Sequence, residues 1–287
     1  MPGTEHATQF TCANDTLVGI LALPDASAQT GVVIIVGGPQ YRAGSHRQFV
    51  LLARALADAG VAVLRFDYRG MGDSSGAQRN FEAVGPDIAA AVDHLQQRVP
   101  SVKKVVLWGL CDAAAAALLY CHDTLDPRVS GLCLLNPWVR SDASLAKTQV
   151  KHYYTQRLRQ KEFWIKLLTG KVAFGALSDF VQKVRQSKKN TSHAGIVVHQ
   201  PFQQRMATAW QQFSGPILLI LSGDDYTAKE FVEYTQGDAA WQDYLRHPGL
   251  TRYDVPGVDH TFSSAEARQQ AEHLTLLWIT GSLHCWR

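Results

Sequence analysis

The chemistry of this chain centres on Cys111. The β-rich run Lys103-Lys104-Val105-Val106-Leu107-Trp108 breaks at Gly109-Leu110-Cys111-Asp112-Ala113 and continues into an alanine-rich stretch that reads as a helix. A strand, a sharp turn with small residues two positions to either side, and a helix make a nucleophile elbow of the G-x-S-x-G type, with Cys for Ser and Ala for the second Gly. The neighbours must be small because the nucleophile holds a strained backbone in the turn. A thiol there attacks activated carbonyls as thiolate, at much lower basicity than an alkoxide. The competing reading is a buried structural thiol at the end of a core strand.

A nucleophile on an elbow needs a base to take its proton and a carboxylate to orient that base, later in the chain and at the C-terminal ends of strands. The strand-like run Ile217–Leu221 is followed by Ser222-Gly223-Asp224-Asp225-Tyr226-Thr227. Asp225 is preferred over Asp224 as the acid, because the acid is expected beyond the Gly-containing turn and just ahead of the helix starting near Ala228. Thr251–Val255 leads into Pro256-Gly257-Val258-Asp259-His260. Of 11 histidines, His260 stands at the last strand end in the required order; Asp259 is expected to bond within its loop. His260 would draw the proton from Cys111, or hold a standing thiolate–imidazolium pair, and Asp225 would fix the imidazole tautomer. For the oxyanion, the Asp112 N–H at a helix start and the Gly38 N–H in the loop after Val36 are the expected donors, with Gln40 the second choice; Pro39 has no N–H. Gln40, Arg42, Trp138 and Arg140 are the candidates for substrate contact, and His46 either joins them or opens the next helix.

Positioning these groups requires a particular set of elements. Gln9–Ala13 and Leu17–Leu23, joined by Asn14-Asp15, read as an N-terminal hairpin. Strands at Val32–Val36, Val61–Phe66, Val102–Trp108 and Val129–Leu135 then alternate with helices at Gln48–Ala59, Phe81–Arg98 and Asp112–His122. After the strand at Ile217, helices are expected at Ala228–Tyr234, Ala239–Arg246 and Ser264–Trp278. Strict alternation of strand and helix means an α/β fold with a doubly wound, mostly parallel sheet. The alternation stops between Trp138 and Gln212, which reads as an inserted helical cap (138–212) on a core of 1–137 and 213–287. Lys188 to Ser192 reads as a loop within it. The run Arg65-Phe66-Asp67-Tyr68-Arg69-Gly70-Met71-Gly72-Asp73-Ser74 is a strand and Gly-rich turn whose charges are expected to hold loops around the site.

With 287 residues and 46% hydrophobic content the chain can bury a large core, and its net charge of +3 does not point to nucleic acid. That charge is unevenly spread. The insertion holds 13 Lys and Arg against 3 Asp and Glu, a net +10, which leaves −7 on the remainder. Such segregation favours an anionic substrate, or a peripheral membrane or polysaccharide contact, against the plainer reading of a solvated helical face. Five scattered cysteines without C-x-x-C spacing, no basic-then-apolar leader and no apolar run of bilayer length lead to the expectation of a cytoplasmic protein with free thiols. No metal or cofactor is expected, since His and Cys lack zinc-ligand spacing and there is no G-x-G-x-x-G or Walker lysine.

Several stretches carry a family resemblance. Val36-Gly37-Gly38-Pro39-Gln40-Tyr41-Arg42, Leu64 through Ser74, Trp108-Gly109-Leu110-Cys111-Asp112-Ala113, Asn136-Pro137-Trp138-Val139-Arg140 and His260-Thr261-Phe262 resemble capped α/β-hydrolases of the serine-aminopeptidase-like type over nearly the whole chain. More narrowly they resemble the exosortase A system-associated type 1 hydrolases. That resemblance implies a bacterial protein working alongside exopolysaccharide production and the sorting of proteins with a C-terminal anchor signal. The Cys nucleophile is also similar to that of dienelactone hydrolases, which use a Cys-Asp-His triad in the same fold. The leading expectation is therefore hydrolysis or transfer of an acyl group from an ester or thioester through an acyl-thioester. Lactone hydrolysis, peptidase action and a non-catalytic binding protein on a hydrolase scaffold are the alternatives.

Overall fold

The computed structural model describes residues 3–38, 40–140 and 200–285. The chain divides into two compact units, Met1–Val139 with Pro201–Arg287, and Arg140–Gln200. Most of the expected cap, 141–199, lies outside the described residues, and with it the loop expected near Lys188.

The first unit is built on one eight-stranded sheet in the order β1-β2-β4-β3-β5-β6-β7-β8. β1 (Thr4–Cys12) and β2 (Asp15–Leu23) form the expected hairpin, antiparallel to each other, and β2 is antiparallel to β4 (Ala62–Phe66). All further pairings, through β3 (Thr30–Ile35), β5 (Lys104–Leu110), β6 (Val129–Leu135), β7 (Ile217–Ser222) and β8 (Leu250–Val255), are parallel. The central strands are almost entirely buried, which explains why they read as continuous aliphatic runs: a parallel strand covered on both faces has no polar side. β8 is more exposed, as befits an edge.

α1 (Gln48–Asp58) and α6 (Ala265–Cys285) pack together, while α2 (Gly85–Arg98) and α3 (Asp112–Thr124) form a second packed pair that also contacts β3. α4 (Phe202–Gln212) lies against α3 and belongs to the first unit, as do Trp138 and Val139, although the sequence reading placed 138–212 in the insertion. The reason is burial. Met206, Ala207, Ala209 and Trp210 are covered, and Trp210 stacks into an aromatic cluster with Trp241 at 5.8 Å and Tyr244 at 5.9 Å. The remaining helix, α5 (Tyr226–Gly237), follows β7 directly. The helix expected over Ala239–Arg246 is two short 3₁₀ turns, Ala239–Trp241 and Tyr244–Arg246, parted at Asp243 by a left-handed backbone (φ 61°).

Candidate active site

The elbow forms where the sequence places it, between β5 and α3. Cys111 has φ 64° and ψ −123°, a conformation an L-residue adopts at a cost of about 1–3 kcal/mol. Its N–H donates to the Leu135 carbonyl (2.9 Å), and its own carbonyl accepts from the Trp138 N–H (3.2 Å), so the strained residue is clamped to the end of β6. The requirement for small neighbours has a measurable origin. A Cβ at Gly109 would stand 2.5 Å from the Ala113 carbonyl carbon, and Ala113 to Ala117 are all buried, which lets α3 press onto the sheet. We expect Gly109→Ala to destabilise the fold by about 1–3 kcal/mol, the cost of overpacking a well-filled site; a urea midpoint equal to that of the parent would contradict this.

Asp225 and His260 converge on the elbow. Asp225 is buried and caps α5, accepting from the Thr227 N–H (3.0 Å, Oδ1) and the Ala228 N–H (3.2 Å, Oδ2). Oδ2 also accepts from His260 Nδ1 at 2.8 Å. The neighbouring Asp224 is exposed and points its chemistry into solvent, so only Asp225 reaches the imidazole. His260 is pushed up to about 10, first by its bond to Asp225 and then by its bond to the Cys111 thiol, against an opposing effect of burial. The histidine loop is held from below. Asp259 accepts from the Thr261 and Ser263 N–H groups (3.2 and 2.9 Å), as a local capping residue does, and Phe262, at φ 52°, is buried behind it.

The thiol and imidazole open on a cavity of about 390 Å³, within the range typical of small-ligand sites. Gly38, Gln40, Asp112 and Trp138 line it with them, and Phe49, Phe81 and Leu110 supply an apolar wall. Of the residues singled out for substrate contact, Gln40 and Trp138 therefore lie at the cavity. Arg42 does not line it. Its guanidinium is bonded to Asp67 and, at 2.6 Å, to Asp73, and its N–H donates to Asp67 Oδ1 (2.6 Å). This arginine braces the loop that carries Gly38, and its charge is spent within the protein. Arg140 belongs to the second unit, and His46 is an exposed residue of the turn before α1. The expected oxyanion donors also meet a complication: the Gly38 N–H already donates to Asp112 Oδ2 at 2.9 Å.

Two supporting residues escape a sequence reading aimed at chemistry. Asn136, fully buried at φ 45°, donates from Nδ2 to Ser222 Oγ (2.9 Å) and to the His260 carbonyl (3.4 Å), and its Oδ1 accepts from the Ser222 N–H (2.8 Å). It ties the ends of β6 and β7 to the histidine loop. An Asn-Pro pair closing an aliphatic strand is the signal for it, since Asn tolerates the left-handed conformation. Asp87 forms a buried bidentate pair with Arg69 (2.9 and 2.8 Å), fixing the turn after β4 as the charges of that run led us to expect. Among the described residues, no group of three or more His, Cys, Asp or Glu is placed to hold a metal ion, and no helix is long and apolar enough to cross a membrane.

Comparison with known proteins gives the family. No curated protein matches the sequence. Among solved structures, an esterase of Pyrococcus furiosus superposes with a TM-score of 0.61 at 16% identity, covering 96% of this chain and 93% of its own. A Xanthomonas campestris α/β serine hydrolase described as lacking a lid gives 0.56 at 15% identity, covering 97% and 96%. A Butyrivibrio proteoclasticus protein with ferulic acid bound gives 0.61 at 15% identity, covering 96% and 100%. At these identities the likeness is one of fold. The sequence profile described as serine aminopeptidase, S33, matches residues 27–231, which takes in Cys111 and Asp225 and ends before His260. With most of its length matched and an eight-stranded α/β sheet beneath it, the chain belongs to the serine aminopeptidase S33 family of α/β-hydrolases.

Proposed function

We propose that this protein is an acyl hydrolase or acyltransferase acting on an ester or thioester, with Cys111 as nucleophile, His260 as its base and Asp225 as the carboxylate that orients the base. The observation that carries the reading is the line from the Asp225 carboxylate through His260 to the Cys111 thiol, ending in a cavity large enough for an acyl group. The likeness to an esterase supports the same reaction class.

The chemistry follows from the geometry. The Cys111 sulfur attacks the carbonyl carbon while its proton passes to His260 Nε2, or has already done so in the resting ion pair. Negative charge collects on the carbonyl oxygen, for which the Asp112 N–H at the start of α3 is the expected donor. The leaving alkoxide or thiolate takes the proton from Nε2, leaving an acyl-thioester on Cys111. Water or an acceptor hydroxyl then gives its proton to His260 and attacks the thioester, and the thiolate departs. Throughout, Asp225 holds Nδ1–H and balances the imidazolium.

The net positive charge of the segment 138–212 supports an anionic acyl donor, such as a phosphorylated carrier arm or an acidic saccharide. The resemblance to exosortase-associated hydrolases supports a role for this reaction alongside exopolysaccharide production. The test is to incubate the protein with short-chain p-nitrophenyl esters and acyl thioesters, quench in acid and weigh it intact. We expect one acyl adduct, mapped to Cys111 and released by hydroxylamine. Turnover of these donors with the adduct on another residue would defeat the assignment.

A further inference from the structure

We propose that the Asp112 side chain is the resting occupant of the oxyanion site, and that it must leave the Gly38 amide before a carbonyl bound there can be attacked. The inference rests on the acyl-transfer reading above and concerns what limits it.

Asp112 is the residue after the nucleophile, and its backbone N–H is one expected donor to the oxyanion. Its side chain, however, reaches across to a loop 74 positions earlier in the chain and takes the other donor, Gly38 N–H, at 2.9 Å. A carboxylate oxygen on that amide stands where the negatively charged oxygen of a tetrahedral intermediate would stand. The fit is specific to this side chain. Gly37 leaves room for it, since a Cβ at Gly37 would lie 2.3 Å from Asp112 Oδ1 and 2.8 Å from the Leu110 carbonyl oxygen.

The arrangement is poor as a purely structural device. Oδ1 is buried and makes no well-formed hydrogen bond to a described residue, so the Gly38 amide is the side chain's main anchor. Burial pushes the Asp112 carboxyl up, with the Gly38 amide first and then the Ala113 and Asp112 amides opposing. Tyr68, pushed up to about 12 chiefly by burial and further by Asp112, supplies no positive charge, and His260 adds a weaker offset than the backbone amides. An ionised Asp112 left in place while negative charge develops beside it opposes the reaction, and a Gly38 amide set free assists it.

The experiment compares the parent with Asp112→Ala and Asp112→Asn on two reactions at neutral pH. Turnover of p-nitrophenyl acetate passes through an oxyanion; alkylation of Cys111 by iodoacetamide does not. We expect Asp112→Ala to raise kcat/KM for the ester about tenfold or more, as restoring one oxyanion donor should, while the alkylation rate changes far less. Asp112→Asn keeps the shape without the charge and should show a smaller gain; it carries the test if the alanine variant fails to fold. Ester turnover at or below the parent level in the folded variants would overturn the proposal. So would equal gains in both reactions, because Asp112 would then be acting on the thiol. Failure of the underlying reading looks different: turnover gained by Asp112→Ala would persist in Asp112→Ala combined with Cys111→Ala.

Discussion

We expect Cys111→Ala to abolish ester and thioester turnover, by about a thousandfold or more, while leaving the fold intact. The size follows from what the residue does in the proposed mechanism: among the described residues no other side chain at the cavity offers a thiol or hydroxyl nucleophile, and an alanine cannot form the acyl-thioester at all. The fold should survive because the elbow is specified by its surroundings. Gly109 and Ala113 provide the room, and the backbone bonds to Leu135 and Trp138 hold position 111 whatever its side chain. Iodoacetamide gives an independent readout. Cys12, Cys121 and Cys133 are buried, and burial pushes each thiol up, Cys121 to about 12. Cys111 is only half-buried and faces an imidazole held protonated. The parent should therefore label at Cys111 ahead of those three in mildly acidic buffer, and Cys111→Ala should lose this fast phase. Turnover near the parent level in that variant, or labelling spread evenly over the thiols, would remove Cys111 from the mechanism.

Much of the site is legible in the sequence because its parts are local. An elbow is a contiguous motif, and the acid and histidine stand at the ends of strands that announce themselves as aliphatic runs. The preference for Asp225 over Asp224 is likewise a local matter. A carboxylate just ahead of a helix caps it, and capping turns Asp225 inward while Asp224 is left in solvent. What the sequence hides is pairing over distance. Arg42 resembles a substrate ligand until Asp67 and Asp73, some 25 and 31 residues on, are seen to consume it. Nothing in the spacing of Gly38 and Asp112 shows that the carboxylate of one would lie on the amide of the other. The extent of the insertion fails for a related reason. Gln203, Gln204, Arg205, Gln211 and Gln212 make α4 look like part of a polar, basic segment, and only the facing surfaces of α3 and the Trp210 cluster mark it as core.

Asp225→Asn should cost about 10²–10⁴ in kcat/KM, since a histidine whose carboxylate is replaced by an amide is free to adopt the wrong tautomer. Asn is the informative change because its side-chain oxygen can still accept from the Thr227 N–H, so much of the α5 cap survives where alanine would remove it. The pH dependence separates an electrostatic loss from a structural one. The folded-state pKa of His260 is raised above its ordinary value, to about 10, with Asp225 the largest cause. A raised histidine contributes stability that is fully present below about 6.5 and is lost as pH rises through its folded value. Thermal melts should therefore show the parent above Asp225→Asn at neutral pH, with the gap closing as the pH passes about 10. Alkylation follows the same sign. In the variant His260 should give up its proton at lower pH, and labelling of Cys111 at neutral pH should slow. A variant that lost turnover yet kept the parent's melting gap at high pH and its alkylation rate at neutral pH would show Asp225 serving the cap of α5 alone, and the proton chemistry would have to be assigned to His260 without it.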